Sequence, residues 1–302
     1  MKIFFSNAKR NTKLFFKDKG LFFTSLITPI ILLVLYLTFL SQVYSSSIEQ
    51  QFLSFGIELE KKYLSAIVSG QLMSSLLAVS CVTVSFCSNM LMVQDKISGA
   101  HKDLLLTPVK RSTLALSYYV STTISTLIIC VVALGASLIY VASVGWFLTF
   151  GDVMFLLVDI FLLVTFGTAL SSVVNYFLSS QGQVSAVGSM VSSCYGFISG
   201  AYMPLSTFST GLRNTLMFLP GTYGTSLLRN HSMNSAIDSL ASSLPPEALP
   251  AITTLKDSID ANIYFFGAKV EISAMYLVLT FSIIALITAY VLINKFCKQK
   301  KK

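Results

Sequence analysis

Residues 64–93 read LSAIVSGQLMSSLLAVSCVTVSFCSNMLMV, a run without a charged side chain. About 20 mostly apolar residues suffice for a helix to cross a bilayer, so this run predicts one membrane span. Outward along the chain, five more runs have the same character, at about residues 21–41, 113–144, 153–178, 184–203 and 272–294. The pattern predicts an all-α integral membrane protein with six transmembrane helices, in a single transmembrane domain over residues 1–302.

Composition separates this chain from soluble proteins. Hydrophobic residues make up 54% of its 302 residues and charged residues only 11%, whereas soluble domains carry roughly 25% charged residues. The net charge is +8, but the basic residues lie at the ends of the apolar runs, as membrane topology requires, so we expect no nucleic-acid partner. The five cysteines form no C-x-x-C pair and there are two histidines, so no metal site or disulfide framework is expected.

The distribution of Lys and Arg predicts that both termini are cytoplasmic, in the plasma membrane. Residues 1–20, 94–112 and the tail after Leu292 hold 15 of the 21 basic residues. The segments on the other side, chiefly 42–63 and 204–271, hold six over many more residues. Termini on the same side require an even number of spans, which agrees with six.

Residues 1–20 have the pattern of a basic amphipathic helix. Phe4 and Phe15 fall on one side of a helical wheel, and Lys9 and Lys13 fall on the other. Such a helix suits the interface of the inner leaflet, where its cations meet anionic lipids. A plain positive-inside anchor is the alternative. A cleaved signal peptide is disfavoured because the apolar run that follows is too long.

Small residues follow one another at spacings of three and four in the fifth predicted span. They are Ser185, Ser189, Ser193, Gly196 and Gly200. Such a stripe lets helix backbones approach closely, either between two subunits or within one bundle.

Residues 204–271 are expected on the outer side. The stretch 212–228, LRNTLMFLPGTYGTSLL, is apolar but short and interrupted at Pro220–Gly221, which predicts a re-entrant or interfacial helical hairpin before the last span. Residues 231–262 are polar and are expected to form an exposed loop.

Polar side chains within the spans have two interpretations. Asp159 is the one charge well inside a span, and an intramembrane carboxylate marks either a transport site or an interhelical contact. Asn89 and Asn175 lie among hydroxyl residues, which could line a cytoplasm-facing vestibule or bond to backbone carbonyls. The chain has no phosphate-binding loop, H-E-x-x-H or G-x-S-x-G motif, so we expect no catalytic residue.

The segment SGAHKDLLLTPVKR, residues 98–111, joins the second and third predicted spans. It has room for one short helix, in which Leu104, Leu105 and Leu106 supply an apolar knob. Pro108 stops or bends this helix. The basic residues around the knob are His101, Lys102, Lys110 and Arg111. This composition predicts a cytoplasmic docking element; a surface loop held by anionic lipid is the alternative.

Residues 94–120, QDKISGAHKDLLLTPVKRSTLALSYYV, resemble the E-x-x-x-G-T-x-E-x-L-L-x-T-P-V-x-R segment of type-2 ABC exporter permeases. The matching residues are Gly99, Leu105, Leu106, Thr107, Pro108, Val109 and Arg111. Residues 199–229 are similar to the segment after the fifth span of that family. The matches there are Gly200, Pro204, Leu219, Pro220, Tyr223 and Arg229.

The resemblance implies a half-transporter that pairs with a second permease chain, in a homodimer, and with two copies of a separate ABC ATPase subunit that binds ATP and Mg²⁺. Residues 98–111 then form the coupling helix, and the N-terminal amphipathic helix lies near the ATPase. The small-residue stripe becomes a dimer contact, and Leu219, Pro220 and Tyr223 belong to an outer gate. Where many members carry acids, this chain has Gln94 and His101–Lys102, so we expect an acidic groove on its ATPase.

The expected function is ATP-driven export of an amphipathic or hydrophobic substrate, such as a drug, a lipid-like molecule, or a hydrophobic toxin or peptide. A proton-coupled secondary transporter is one alternative, although only Asp159 offers it an ion site. A membrane-embedded enzyme would need a cluster of acids or histidines. A non-transporting membrane anchor for an ATPase is the remaining alternative.

Overall fold

The structure, a computed structural model, describes residues 2–106 and 109–296. The helices are α1 (Lys2–Lys17), α2 (Lys19–Leu35), α3 (Ser41–Leu53), α4 (Lys61–Ile97), α5 (Ala100–Leu106), α6 (Arg111–Val144), α7 (Phe150–Tyr176), α8 (Gln181–Ile198), α9 (Thr210–Leu216), α10 (Pro220–Ser243), α11 (Leu249–Ser258) and α12 (Ile272–Phe296). Two short strands, β1 (Tyr264–Phe265) and β2 (Ala268–Lys269), form an antiparallel hairpin before α12.

Five of the six predicted spans are confirmed as helices that are long and apolar enough to cross a membrane. Within the described residues these are Lys19–Leu53, Lys61–Ile97, Arg111–Val144, Phe150–Tyr176 and Ile272–Phe296. The fifth predicted span is also helical, as α8. Its 18 residues include two glutamines, three glycines and four serines, which lower its hydropathy below that of the others. The sixth crossing, and with it the count of six, stays a prediction.

The first predicted span is longer than expected. A π-helical segment, Tyr36–Leu40, joins α2 to α3, so the helix continues to Leu53 rather than ending near residue 41. Tyr36, Tyr44 and Phe52 are buried on this continuation, and the ring planes of Tyr36 and Tyr44 are stacked with centroids 6.0 Å apart. Aromatic packing against the rest of the bundle therefore extends the helix beyond the apolar run.

Helix α4 is the centre of the bundle. Between Tyr63 and Val93, every residue except Ser65 and Met90 is buried, and α4 packs against α2, α6, α7, α8 and α10. Small side chains allow this close approach. A Cβ on Gly70 would lie only 2.8 Å from the Ser232 carbonyl oxygen of α10, so a larger residue there would separate the two helices.

The prediction of an exposed loop over residues 231–262 is wrong. Most of this region is helical, in α10 and α11, and α10 packs against α4, α7 and α12. Met233, Ile237 and Leu240 lie at helical spacing and are buried. Their apolar stripe is interrupted by serines and asparagines, which lowers the mean hydropathy and hides the 3.6-residue period.

The region predicted as a hairpin, 212–228, contains a break at the expected place. Helix α9 ends at Leu216 and α10 begins at Pro220, a position where the missing N–H of proline removes no helical hydrogen bond. The second helix, however, continues to Ser243. It is a principal element of the bundle, and its length exceeds that of a short hairpin arm.

A buried ion pair holds α10 to the loops around it. The Arg229 side chain is 1% exposed, and its Nη1 lies 3.0 Å from Asp260 Oδ2. Arg229 Nη2 donates to the Gly200 carbonyl oxygen, and the Leu205 and Ser206 amides donate to the Asp260 carboxylate. Burial raises the pKa of Asp260, and Arg229 and the two amides oppose that rise. Gly200 ends α8 with φ +75°, a conformation that glycine adopts without strain.

Replacing Arg229 with Met should strongly destabilise the protein, because Asp260 would remain buried without its partner. The loss expected from breaking a buried pair is about 3–5 kcal/mol. Chemical denaturation in detergent micelles measures it. The matched control is Lys62→Met, since Lys62 pairs with Glu60 on the surface, where pairs contribute at most about 1 kcal/mol. Similar losses of unfolding free energy in both variants would show that the buried Arg229–Asp260 pair contributes no more to stability than the surface pair.

Candidate functional site

Helix α5 turns between α4 and α6 at one end of the bundle. Gly99 stands at the turn with φ +86°, in the left-handed region that favours glycine. Its carbonyl oxygen accepts hydrogen bonds from the backbone amides of Lys102, at 2.8 Å, and Asp103, at 3.3 Å. Glycine is therefore required at this position to reverse the chain directly from the end of α4 into α5.

The three consecutive leucines of α5 do not act together as one apolar knob. Leu104 and Leu105 are half-buried and pack, with Val109, against a cluster at the ends of the spans. That cluster consists of Met92, Leu114, Ala115, Tyr118, Tyr119, Ala169, Tyr176 and Tyr290. Leu106, in contrast, is 86% exposed. Two leucines therefore anchor the helix and one is presented outward. Thr107 and Pro108, also predicted in this element, lie outside the described residues.

A buried carboxylate lies beneath α5 and joins three helices. Asp95 Oδ2, near the end of α4, lies 2.9 Å from Arg10 Nη1 of α1. The same oxygen accepts a hydrogen bond from the Tyr118 hydroxyl of α6 at 2.5 Å. The hydrogen bond that Arg10 donates to Asp95, together with the negative charge of Asp95, raises the pKa of Arg10. Asp95 thus connects α1, α4 and α6 close to the turn that leads into α5.

Lys96 adds α7 to this connection. Its Nζ donates to the carbonyl oxygens of Asn175, at 3.2 Å, and Tyr176, at 2.8 Å. These carbonyls belong to the last turn of α7, where a cation also interacts favourably with the helix dipole. Asp95 and Lys96 therefore connect the last turns of α4, just before α5, to α1, α6 and α7.

The predicted basic surrounding of α5 is present, with one change. Lys102, Lys110 and Arg111 are exposed. His101 is half-buried, and its ring centroid lies 6.2 Å from that of Tyr118. Burial, and then the charge of Lys96, lower the pKa of His101; Arg111 acts in the same direction and Asp95 opposes it. His101 is therefore neutral at pH 7 and adds no charge to the basic surface.

Helix α1 packs against α6 over much of its length. Its buried side is formed by Ala8, Asn11 and Phe15, and Lys9 and Lys13 are exposed on the opposite side. Phe4 is half-buried. The predicted amphipathic division is present, but Phe15 is 1% exposed and contacts other helices, so protein rather than lipid covers this part of its apolar side.

Residues 3–231 match the sequence model of one protein family, the ABC-2 type transporters. This match extends over well more than half of the chain. The chain belongs to the ABC-2 type transporter family. It is accordingly a permease subunit of an ABC transporter, a multi-pass membrane protein in a family that typically works with a separate ATPase subunit. Comparison with curated proteins finds no match.

Two of the polar residues predicted for the transport pathway of this ABC-2 transporter lie inside the bundle. The amide of Asn89 donates to the hydroxyls of Ser171 and Ser172, both at 3.0 Å, and so joins α4 to α7. Asn175 is 2% exposed, and its backbone carbonyl oxygen accepts from Lys96, whereas its side-chain amide nitrogen has no partner among the described residues. In this conformation the side chain of Asn89 and the backbone of Asn175 connect helices.

Asp159 also connects helices. Its Oδ2 lies 2.6 Å from His231 Nδ1 of α10, and its Oδ1 accepts a hydrogen bond from the Tyr276 hydroxyl of α12 at 2.6 Å. The His231 ring stacks on Phe155, with centroids 4.9 Å apart. Partners on two other helices thus bind both oxygens of the carboxylate. This arrangement matches the interhelical contact, which was the alternative to a transport site.

The predicted gate residues occupy two environments. Leu219 and Pro220, at the start of α10, line a cavity of about 540 Å³ between α8 and α12. Tyr223 lies one turn further into α10 and is 6% exposed. Its hydroxyl donates to the Met217 carbonyl oxygen at 2.7 Å, so it holds the turn between α9 and α10 closed.

The small residues predicted to form one stripe on α8 lie in two different environments. Ser189 and Ser193 are exposed and are available to another chain. Gly196 is covered by the Tyr202 ring, which a Cβ would meet at 2.3 Å. Gly200 packs against Leu205 within the same chain. The outward-facing part of the stripe is therefore shorter than the sequence pattern predicted.

Sequence reasoning missed Arg10, Asp95, Lys96 and Tyr118 as members of the coupling region. Asp95 lies inside the predicted segment 94–112 but carries the wrong sign for a basic surface. Its partners come from α1 and α6, which are distant in sequence, so only the folded arrangement shows that it binds a cation.

Acidification should loosen α5 through His101. Because burial lowers the folded-state pKa of His101, the stability that it contributes is present above the unfolded value of about 6.5 and is lost as pH falls through the folded pKa. Hydrogen–deuterium exchange of residues 100–106, corrected for intrinsic rates, should be faster at pH 5.5 than at pH 7.5. The variant His101→Gln should remove this difference; an equal pH effect in the variant contradicts the assignment.

Proposed function

We propose that this ABC-2 permease is one half of an exporter in which a partner ATPase drives transport through α5. The proposal depends most on Leu106, which is 86% exposed on a helix anchored by Leu104 and Leu105. An apolar side chain presented on a fixed support, next to Lys102, Lys110 and Arg111, has the character of a binding hot spot with a charged rim. Its partner would be a groove with an apolar pocket and acidic edges.

The connections around Asp95 supply a route for force. ATP and Mg²⁺ would bind on the ATPase subunit, and closure of two such subunits would push on α5. The push would reach α4 through Gly99, α1 and α6 through the Arg10–Asp95–Tyr118 contacts, and α7 through Lys96. Since α4 packs most extensively against α2, α6, α7, α8 and α10, its displacement would be transmitted to most of the bundle.

Export direction and substrate class belong to the same proposal. The cavity beside α8 has an almost wholly apolar lining, and the polar groups Asn89 and Asp159 are occupied by helix-to-helix hydrogen bonds. A substrate taken from the membrane or the cytoplasm would therefore be hydrophobic or amphipathic. With both termini and α5 at the cytoplasmic end, as the Lys and Arg distribution predicts, the start of α10 would face outward.

The variant Leu106→Asp should reduce association with the ATPase subunit. Burying one leucine contributes about 1.5–3 kcal/mol, which corresponds to a loss of affinity of about tenfold to a hundredfold. Co-purification of the two subunits from membranes, and ATP hydrolysis stimulated by the permease, measure this loss.

The matched control is Leu249→Asp, since Leu249 is exposed on the first turn of α11 and outside the confirmed spans. It should leave both measurements unchanged. Changing Leu105 is less informative because it also supports α5. Full association by Leu106→Asp would refute the docking function of α5.

A second permease chain is proposed to pair through the exposed part of α8. Ser189 and Ser193 present small side chains there, and small residues permit close helix contact in lipid. Helix α2 offers a further unpartnered apolar side, on which Phe23, Ile27 and Ile30 are exposed. A homodimer of this kind would use the same surfaces of both chains.

Cysteine cross-linking tests the pairing. In a Cys194→Ser background, Ser189→Cys should form a disulfide-linked dimer in membranes treated with a mild oxidant, as read on non-reducing gels. The control Ile139→Cys places a thiol on the exposed side of α6, where Ile139 is 74% exposed, and should stay monomeric. Equal cross-linking at both positions would indicate random collisions and remove the support for an α8 interface.

A further inference from the structure

A cavity opens sideways from the bundle between α8 and α12. Its volume is about 540 Å³, within the roughly 300–1,000 Å³ common for ligand pockets. Val82 and Phe86 of α4 and Phe166 of α7 line its depth and are buried. Met190 and Phe281, on its rim, are 66% and 73% exposed. The opening therefore lies on the lipid-facing side of two helices.

Two hydroxyl groups that face this apolar space interact with each other, but neither has a partner at ordinary hydrogen-bond geometry among the residues that the structure describes. They belong to Tyr195, which is 9% exposed, and Ser199, which is 1% exposed. The other hydroxyls of the lining are satisfied, since Thr222 donates to the Leu216 carbonyl and Ser282 to the Val278 carbonyl. A buried polar group left without a partner is destabilising, so the pair marks a place for a ligand oxygen.

The start of α10 lines the cavity next to Tyr195 and Ser199. A Cβ on Gly221 would lie 2.6 Å from the Tyr195 hydroxyl, so glycine makes room for that group. The first amides of a helix carry a partial positive charge and lack intrahelical acceptors. Here, however, Pro220 has no N–H, and the Leu219 and Thr222 amides already donate to the Leu216 and Leu219 carbonyl oxygens. The start of α10 therefore adds the partial positive charge of the helix beside the Tyr195 and Ser199 hydroxyls rather than a row of free donors.

We propose that the cavity binds a fatty-acyl amphiphile from the membrane. The chain would lie along Val82, Phe86 and Phe166, and the oxygens of its head would accept hydrogen bonds from Tyr195 and Ser199. A second permease chain is a poorer occupant, because Ser189 and Ser193 face a different side of α8 from Met190 and Cys194. The site requires neither ATP nor the ATPase, so it stands apart from the docking function of α5.

Photo-crosslinking of the full chain in phosphatidylcholine nanodiscs, without ATPase, tests the site. One arm uses a free fatty acid with a mid-chain diazirine, and the other a phospholipid carrying the same chain. Mass spectrometry should locate adducts on α8 and α12, and excess oleic acid should suppress those of the free acid. The arm that labels these helices identifies the source. Adducts spread evenly over all exposed helices in both arms would overturn the proposal.

A pair of tryptophan variants separates the cavity from general lipid contact. Ala285→Trp fills the cavity from α12, where Ala285 lines it, and should reduce labelling at least tenfold. Ala136→Trp makes the same change on the exposed side of α6 and should leave labelling unchanged. Equal labelling in both variants contradicts a bound ligand.

The head-group contact has its own test. Tyr195→Phe removes one hydroxyl, and losing a hydrogen bond of typical strength should weaken fatty-acid binding about threefold to tenfold. A diazirine alkane without a head group should bind the variant and the natural protein equally. Unchanged fatty-acid binding would refute the role of Tyr195. None of these readouts depends on Leu106, so failure here leaves the proposed function to be judged by the docking experiment.

Discussion

The close approach of five helices to α4 is the constraint on which the rest of the structure depends. A helix without a lipid-facing side can be surrounded in this way only if its neighbours come near enough to cover it. Its serines, alanines, cysteines and single glycine permit that approach, as the contact of Gly70 with α10 shows. In a membrane, close packing and interhelical hydrogen bonds take over much of the role that hydrophobic burial has in water. Ser85 and Asn89 of α4 form such hydrogen bonds with α7, whereas Ser80 and Thr83 donate to carbonyl oxygens of α4 itself.

Because α4 contacts so many helices, both ends of the bundle are linked through it. At one end, Asp95 and Lys96 bind α1, α6 and α7 beside α5. At the other, α10 packs on α4 and is held by the buried Arg229–Asp260 pair. Asp159 joins α7, α10 and α12 between them. Polar contacts therefore concentrate where helices must keep a fixed relation, and the apolar cavity lies where α8 and α12 separate.

The successes and errors of the sequence-based predictions follow from how local each signal is. Five spans were found because length and hydropathy belong to one stretch of chain. The helix over 220–243 was missed because its buried side is narrow and its composition resembles a loop. Leu104, Leu105 and Leu106 were treated alike because they are adjacent and chemically identical. Their difference arises from Tyr118 and Tyr290, which pack against two of them and come from distant parts of the chain.

The sequence by itself determined that this is a helical membrane protein, where five of its spans lie, and that a short polar segment with three leucines separates the second from the third. These properties depend on runs of side chains and on the bilayer thickness. Only the tertiary structure decided which leucine is presented outward, which side chains bind Asp95 and Asp159, and that the Tyr195 and Ser199 hydroxyls face an apolar cavity. Those outcomes depend on which distant residues share a few ångströms of space, and packing alone sets that arrangement.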